Sequence, residues 1–114
     1  MIEEMPRSSI GDLELLVLLA LIRLEDDAYG VPIARDIEAH GKGSVALGGV
    51  YAALERLEEK GLVRSELGEA TEERGGRAKR YFHITESGLR EVRAARRSLI
   101  EMWRGVPAWK AGTI

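Results

Sequence analysis

The apolar positions in the first half of the chain predict three helices. They recur every three or four residues, the spacing that places side chains on one face of a helix. The predicted helices span residues 9–24, 30–40 and 48–60. Ser9 followed by Asp12 forms a capping-box pattern at the first start, and Gly61 stops the third helix. The first helix is apolar on nearly every face, which predicts burial on more than one side.

The second half of the chain predicts a β-hairpin and a fourth helix. Residues 62–67 and 79–84 alternate between apolar and polar positions, and a polar loop containing glycine joins them. Thr85 caps a final helix that extends to about Arg104. The pattern therefore predicts a mainly α fold with a small β-hairpin: a winged helix-turn-helix followed by one C-terminal helix.

The fourth helix carries more apolar surface than a small monomer can bury, and the first helix has apolar side chains to spare. We therefore expect the fourth helix to mediate dimerisation. The predicted interface consists of Leu13, Leu16, Leu89, Val92, Leu99, Met102 and Trp103. The chain then divides into a loose arm at 1–8, a winged-helix domain at 9–84, a dimerisation helix at 85–104 and an irregular tail at 105–114.

Composition excludes several classes of protein. The 114 residues contain no Cys, and the two His cannot complete a tetrahedral zinc site, so neither a disulfide scaffold nor a structural zinc site is expected. The two His lie on separate elements, which leaves no catalytic constellation and predicts neither an enzyme nor a cofactor. The longest apolar run, Leu15 to Ile22, is far shorter than the roughly 20 residues of a membrane span, so we expect a soluble, cytoplasmic protein.

The net charge of −2 conceals a strong asymmetry along the chain. Residues 1–73 carry 7 basic and 16 acidic side chains, whereas residues 74–114 carry 10 basic and 3 acidic ones. Such asymmetry indicates a face that meets a polyanion. The alternative is a dipolar surface with no partner.

Three helices followed by a hairpin predict binding to double-stranded DNA, with the third helix in the major groove and the hairpin tip on phosphates. The alternative is a protein-interaction module of the same shape. The hairpin contributes four basic candidates, Arg74, Arg77, Lys79 and Arg80. A solvated hairpin tip is the alternative for this cluster.

The other candidate DNA-contacting residues lie in or just before the third helix. They are Lys42, Ser44, Gly49, Tyr51, Ala52 and Arg56. Tyr51 either reaches DNA or packs against the second helix. Arg56 either reaches a phosphate or pairs with a nearby glutamate three or four residues away on its own helix. Lys42 and Ser44 either contact a phosphate or are ordinary loop residues.

Four segments of the chain form a distinctive set: DAYG at 27–30, LGGVYAALERLEEKGLV at 47–63, RGGRAKRY at 74–81 and ITESG at 84–88. Together they resemble the PadR family of transcriptional regulators over about residues 10–104. The chain departs from many relatives at the start of the third helix, where Gly48, Gly49, Ala52 and Ala53 replace a Ser or Thr. That departure reduces the hydrogen bonding this helix can offer to bases.

The resemblance implies a short-form dimeric repressor that dimerises through its C-terminal helix and occludes a promoter. A two-fold dimer is expected to bind an inverted-repeat operator, with half-sites about 34 Å apart. The resemblance also implies that aromatic residues near the dimer centre can hold a flat hydrophobic effector. Trp103 is the candidate for that role, and dimer core is its simpler alternative.

Overall fold

A computed structural model describes residues 10–69 and 78–112. Five α-helices are present in these residues: α1 (Asp12–Leu24), α2 (Gly30–Ile37), α3 (Leu47–Glu59), α4 (Glu86–Arg104) and α5 (Ala108–Ala111). Two strands, β1 (Val63–Leu67) and β2 (Arg80–Ile84), form the hairpin between α3 and α4. The predicted winged-helix arrangement is confirmed. The predicted arm at 1–8 lies outside the described residues.

The N-cap of α1 lies two residues later than predicted. Ser9, the expected cap, lies outside the described residues, and the helix starts at Asp12 with Gly11 as its N-cap. The reason is Glu14: its Oε1 accepts a hydrogen bond from the Gly11 backbone N–H at 3.1 Å, which satisfies a donor at the helix start. Glu14 therefore fixes the first turn of α1.

Helix α2 ends three residues earlier than the predicted helix over 30–40. Regular α-helix ends at Ile37, and Glu38–Lys42 then form an irregular turn in which His40 and Gly41 leave helical geometry. Gly41 and Gly43 have φ angles of +114° and +81°, which glycine adopts at low cost. The Val45 N–H donates to Glu38 Oε2 at 3.0 Å, which joins the segment before α3 to the residue that follows α2. This bond holds the start of α3 close to the end of α2.

The hairpin closes the core from the side. Its strands are antiparallel, with Val63 opposite Ile84 and Leu67 opposite Arg80. The Phe82 N–H donates to the Ala28 carbonyl at 2.8 Å, which joins β2 to the segment between α1 and α2. The largest fully buried side chains are Leu18, Ile33, Leu54, Leu57, Val17 and Val50. All three helices of the winged helix therefore share one core.

Helix α4 starts as predicted. Thr85 Oγ1 accepts from the Gly88 N–H at 3.1 Å and donates to the Gly61 carbonyl at 2.8 Å. A Cβ at Gly88 would lie 2.6 Å from Ile84 Cγ1, so only glycine lets the helix pack this closely on the hairpin. The tail at 105–114 was expected to be irregular, but Ala108–Ala111 form one short helical turn. In the described part of the chain no helix is long and apolar enough to cross a membrane.

Candidate nucleic-acid interface

The face of α3 that points away from the core is open and lined by small residues. Val50, Leu54 and Leu57 are fully buried, so the opposite side of the helix is available to solvent. Gly48, Tyr51 and Ala52 are exposed there. An α-helix with small side chains at its start can enter the major groove closely. This face is therefore the candidate groove-facing surface.

The other predicted contacts near the start of α3 differ in exposure. Ser44 is exposed in the connection that precedes the helix. Gly49 is half-buried, and a Cβ there would lie 3.7 Å from Leu13 Cδ2, so this glycine faces α1. The backbone of Lys42 closes the irregular turn after α2, while its side chain lies outside the described part of the structure. Ser44 thus lies on the open side and Gly49 on the packed side.

Tyr51 combines the two alternatives that the sequence left open. It is 45% exposed, yet its ring lies against the backbone of Gly30, the first residue of α2. Among the described residues its hydroxyl makes no hydrogen bond to the protein. The phenol is thus packed on α2, although nearly half of the Tyr51 side chain is exposed.

Arg56 pairs with a different partner from those considered in the sequence. Its Nε donates to Glu14 Oε2 at 2.7 Å, and Lys60 Nζ donates to Glu14 Oε1 at 2.9 Å. The expected pairing with a glutamate of its own helix is wrong, because Glu14 on α1 is 4% exposed and attracts both cations. The Arg56 side chain remains 51% exposed.

The Glu14 cluster, defined as Glu14, Arg56, Lys60 and the Gly11 N–H, sets the charge state of a buried carboxylate. Burial acts to raise the pKa of Glu14, but the hydrogen bonds from Lys60, Arg56 and Gly11 outweigh it. The pKa of Glu14 is therefore lowered, and the carboxylate stays charged at neutral pH. The cluster fastens the C-terminal half of α3 to the start of α1.

The hairpin of β1 and β2, with the loop that joins them, is the wing, and its base is held by aromatic and hydroxyl partners. Lys79 Nζ lies 4.3 Å above the centre of the Tyr29 ring and donates to its hydroxyl at 3.3 Å. Tyr81 packs edge-on against the same ring, with centroids 5.5 Å apart. Arg80 donates to Ser65 Oγ at 2.9 Å across the hairpin. Arg74 and Arg77, the other two basic candidates, lie outside the described residues.

The predicted dimer residues fall into two groups. Leu13, Leu16 and Val92 are partly buried and pack on the core of their own protomer, and Leu89 is also partly buried. Leu99, Met102 and Trp103 are 56%, 75% and 51% exposed. With Val106 they line a shallow groove at the end of α4. Only this second group leaves apolar surface uncovered.

The sequence profile of the transcriptional regulator PadR-like family matches residues 18–94. This chain belongs to the PadR-like family. The match includes all of α2 and α3, both strands and the first half of α4. PadR-like proteins are transcriptional regulators that bind DNA, rather than enzymes, so this chain is a DNA-binding regulator of transcription.

Solved structures of PadR proteins share the fold. A PadR family transcriptional regulator from Eggerthella lenta DSM 2243 is 30% identical, with a TM-score of 0.66 over 80% of this chain and 77% of that chain. A PadR-like regulator from Bacillus cereus strain ATCC 14579 is 26% identical, with a TM-score of 0.67 over 82% and 86%. One from Clostridium difficile R20291 is 26% identical, with a TM-score of 0.63 over 82% and 88%. No curated protein sequence gives a significant match.

Two residues near this PadR surface escaped the sequence analysis. Glu14 lies between leucines in α1 and reads as an ordinary polar position, and only the structure shows that Arg56 of α3 and Lys60, which caps α3, both donate to it. Gly30 reads as a helix start, and only the structure shows that the Tyr51 ring occupies the place of its missing side chain. In each case the partner is distant in sequence, so no local pattern could reveal the contact.

Proposed function

We propose that this PadR-like protein is a homodimeric repressor that occupies a promoter and excludes polymerase. The observation that carries the proposal is that each protomer leaves two surfaces of different chemistry uncovered. One is the open face of α3, and the other is the apolar end of α4. An apolar patch of this kind is typical of a protein–protein contact, and a helix lined by small residues suits a DNA groove.

In the proposed complex, the first half of α3 enters the major groove and the wing follows the phosphates. Tyr51 and Ala52 face the groove. Ser44 and the side chain of Lys42, which precede the helix, contact the phosphate backbone of the DNA. Arg74, Arg77, Lys79 and Arg80 supply positive charge from the wing. Arg56 plays a smaller part than the sequence suggested, because Glu14 already holds its guanidinium. The proposed role of Gly49 is to let α3 pack closely on Leu13 rather than to touch DNA.

Dimerisation through α4 supplies the geometry of the site. A two-fold dimer presents two copies of α3 about one duplex turn apart, so the operator is an inverted repeat with half-sites about 34 Å apart. In this proposal Leu99, Met102 and Trp103 form the centre of the interface. Leu13, Leu16, Leu89 and Val92 support it from within each protomer.

The groove beside Trp103 also gives the proposed repressor a place for an effector. Its lining by Leu99, Met102, Trp103 and Val106 is apolar, which suits a flat hydrophobic molecule held across the dimer. Binding there releases DNA if it changes the distance between the two copies of α3.

Footprinting the purified protein on the DNA upstream of its own coding sequence tests the proposal directly. The expected result is a protected inverted repeat overlapping the promoter, and loss of transcription when the protein is added to polymerase. Protection of one half-site only would contradict the dimer. No protection, together with a monomeric protein that captures another protein through α4, would favour the interaction module instead.

A further inference from the structure

The first residue of α2 and the aromatic residue of α3 occupy one shared space. Gly30 is buried, and an alanine Cβ built there would lie 2.9 Å from Tyr51 Cε2 and closer still to Cζ and Oη. Carbon atoms in ordinary contact are about 3.5–4.0 Å apart, so any side chain at Gly30 would displace the phenol. The end of the Tyr51 ring therefore lies where another residue would carry its Cβ.

This contact fixes the direction in which the Tyr51 side chain points. Tyr51 is 45% exposed, so solvent alone would allow several rotamers. Packing against the Gly30 backbone holds the ring at the side of α3 that faces the start of α2. The hydroxyl, which has no hydrogen-bond partner among the described residues, is then presented at one position instead of many.

We propose that Gly30 is a positioning residue for DNA binding: it provides the seat on which the Tyr51 ring is held ready for the nucleic acid. Gly30 does not itself touch DNA in this proposal. It acts by reducing the number of orientations that Tyr51 loses when it binds. The inference rests on the proposed function, because it requires Tyr51 to contact the operator.

Gly30→Ala can distinguish a role of Gly30 in folding from a role in DNA binding. The Cβ of Gly30→Ala meets the far end of a half-exposed side chain, which can swing away into solvent, so we expect the fold to be kept. Alanine is also a better helix former than glycine. A purely structural role for Gly30 therefore predicts no loss of DNA binding, whereas the seat predicts a clear loss.

The test is a double-mutant cycle on the duplex protected in the footprint, with the full chain as parent. The variants are Gly30→Ala, Tyr51→Ala and the double variant Gly30→Ala/Tyr51→Ala. We expect Tyr51→Ala to weaken binding by roughly 5- to 150-fold. Gly30→Ala should weaken it by a smaller factor, roughly 2- to 12-fold, in the parent and not measurably when Tyr51 is already alanine.

Gly105→Ala provides a matched control. Gly105 lies at the end of α4 with a φ of −85°, and a Cβ there meets nothing within 4 Å. This variant should bind DNA as the parent does. Circular dichroism and thermal unfolding of every variant show whether the fold is intact.

Each outcome has a defined meaning. If Tyr51→Ala binds as tightly as the parent, the proposed Tyr51 contact fails and the seat fails with it. If Tyr51→Ala is weak but Gly30→Ala is not, the contact stands and the seat is overturned. Equal losses from Gly30→Ala in both backgrounds would also overturn it, because Gly30 would then act without Tyr51. An unfolded Gly30→Ala protein would overturn it as well, because the ring would be a fixed part of the core.

Discussion

Helices α3 and α4 each leave one face uncovered, and the two faces differ in chemistry. On α3 the apolar stripe of Val50, Leu54 and Leu57 is fully buried in the protomer, and Leu47 and Tyr51 are exposed beside small and charged residues. On α4 the first half packs on the core through Gly88 and Val92, but the second half exposes large apolar side chains. Helix α3 buries most of its apolar side chains within the protomer, whereas the second half of α4 leaves its large apolar side chains exposed.

The comparison teaches that the uncovered face, rather than the apolar repeat, indicates the kind of partner. Both helices have apolar repeats, but α3 exposes only the first residue of its repeat, Leu47, whereas α4 exposes Leu99, Met102 and Trp103. Water is a poor partner for such a surface, whereas a second apolar face is a good one. The open face of α3 needs no apolar partner. Its neighbours Glu55 and Glu59 are exposed acids, so in the proposed complex the charge that attracts DNA comes from the loop and the wing.

The largest effect is expected from Leu99→Asp on α4. A charge in the centre of the proposed interface removes apolar contact and cannot be buried without a partner. We expect a monomer at about 20 µM, where the parent is a dimer, and a loss of operator affinity of about 100-fold or more because the two half-sites no longer bind together. Light scattering and a binding titration measure the two effects.

Arg97→Asp is the control for this change. Position 97 precedes position 99 by two residues, so it points to the opposite side of α4, and it is exposed. Its aspartate should leave the dimer intact in light scattering. A parent chain that is itself monomeric at tens of micromolar would refute the assignment of the α4 face, since an interface of about −6 to −7 kcal/mol would be unformed there.

The next effect is expected from Tyr51→Ala on α3. Loss of the phenol should weaken operator binding by about 1–3 kcal/mol and leave the dimer and the fold unchanged. Glu55→Ala, one turn further along the same face, is the control, and removal of this acid should leave binding equal or slightly stronger. Weaker binding by both variants would show that the whole face is sensitive, and the specific role of Tyr51 would be lost.

A smaller effect is expected from Arg77→Ala in the wing, which tests whether charge alone connects this element to DNA. Each phosphate neutralised contributes about −0.9 to the slope of log K against log salt, and a dimer carries each side chain twice. The variant should therefore flatten that slope by up to about 1.8, almost equally on operator and random DNA. An unchanged slope would return the wing to a solvated hairpin, and a loss confined to the operator would show that it reads sequence.

Arg104→Ala is the charge-matched control for the wing. Arg104 lies at the end of α4 and pairs with Glu101 at 3.2 Å on the surface. Its removal changes the net charge by the same amount as Arg77→Ala. A similar change in slope for both variants would mean that overall charge, rather than the position of Arg77, governs the salt dependence.

The sequence predicted the elements well because periodicity and caps are local. The Thr85 cap and the end of α4 at Arg104 were both predicted. The start of α1 was missed because the effective cap is the Glu14 carboxylate, three residues inside the helix. The partner of Arg56 was missed because Glu14 is 42 residues away in sequence. The Gly30–Tyr51 contact was missed for the same kind of reason, because its two residues lie on different helices. Local patterns predict which face is apolar, but contacts between distant residues decide which charges are free.

The smallest effect is expected from Glu14→Gln, which tests the hydrogen-bonded ion pairs that join α3 to α1. The amide keeps the shape but loses the charge that holds Arg56 and Lys60, so unfolding free energy at pH 7 should fall by about 1 kcal/mol. Burial opposes ionisation of Glu14, but its hydrogen bonds lower the pKa of the folded carboxyl below the ordinary 4.5. The stabilisation is therefore complete above that pH and is lost as pH falls through the lowered pKa. The parent and the variant should converge in acid, as measured by urea unfolding at several pH values. Glu101→Gln, which removes the exposed acid that pairs with Arg104 on α4, should change stability little at any pH. A difference between the parent and Glu14→Gln that stays constant down to pH 3 would mean that a hydrogen bond the amide cannot accept, rather than the charge of Glu14, joins α1 to α3.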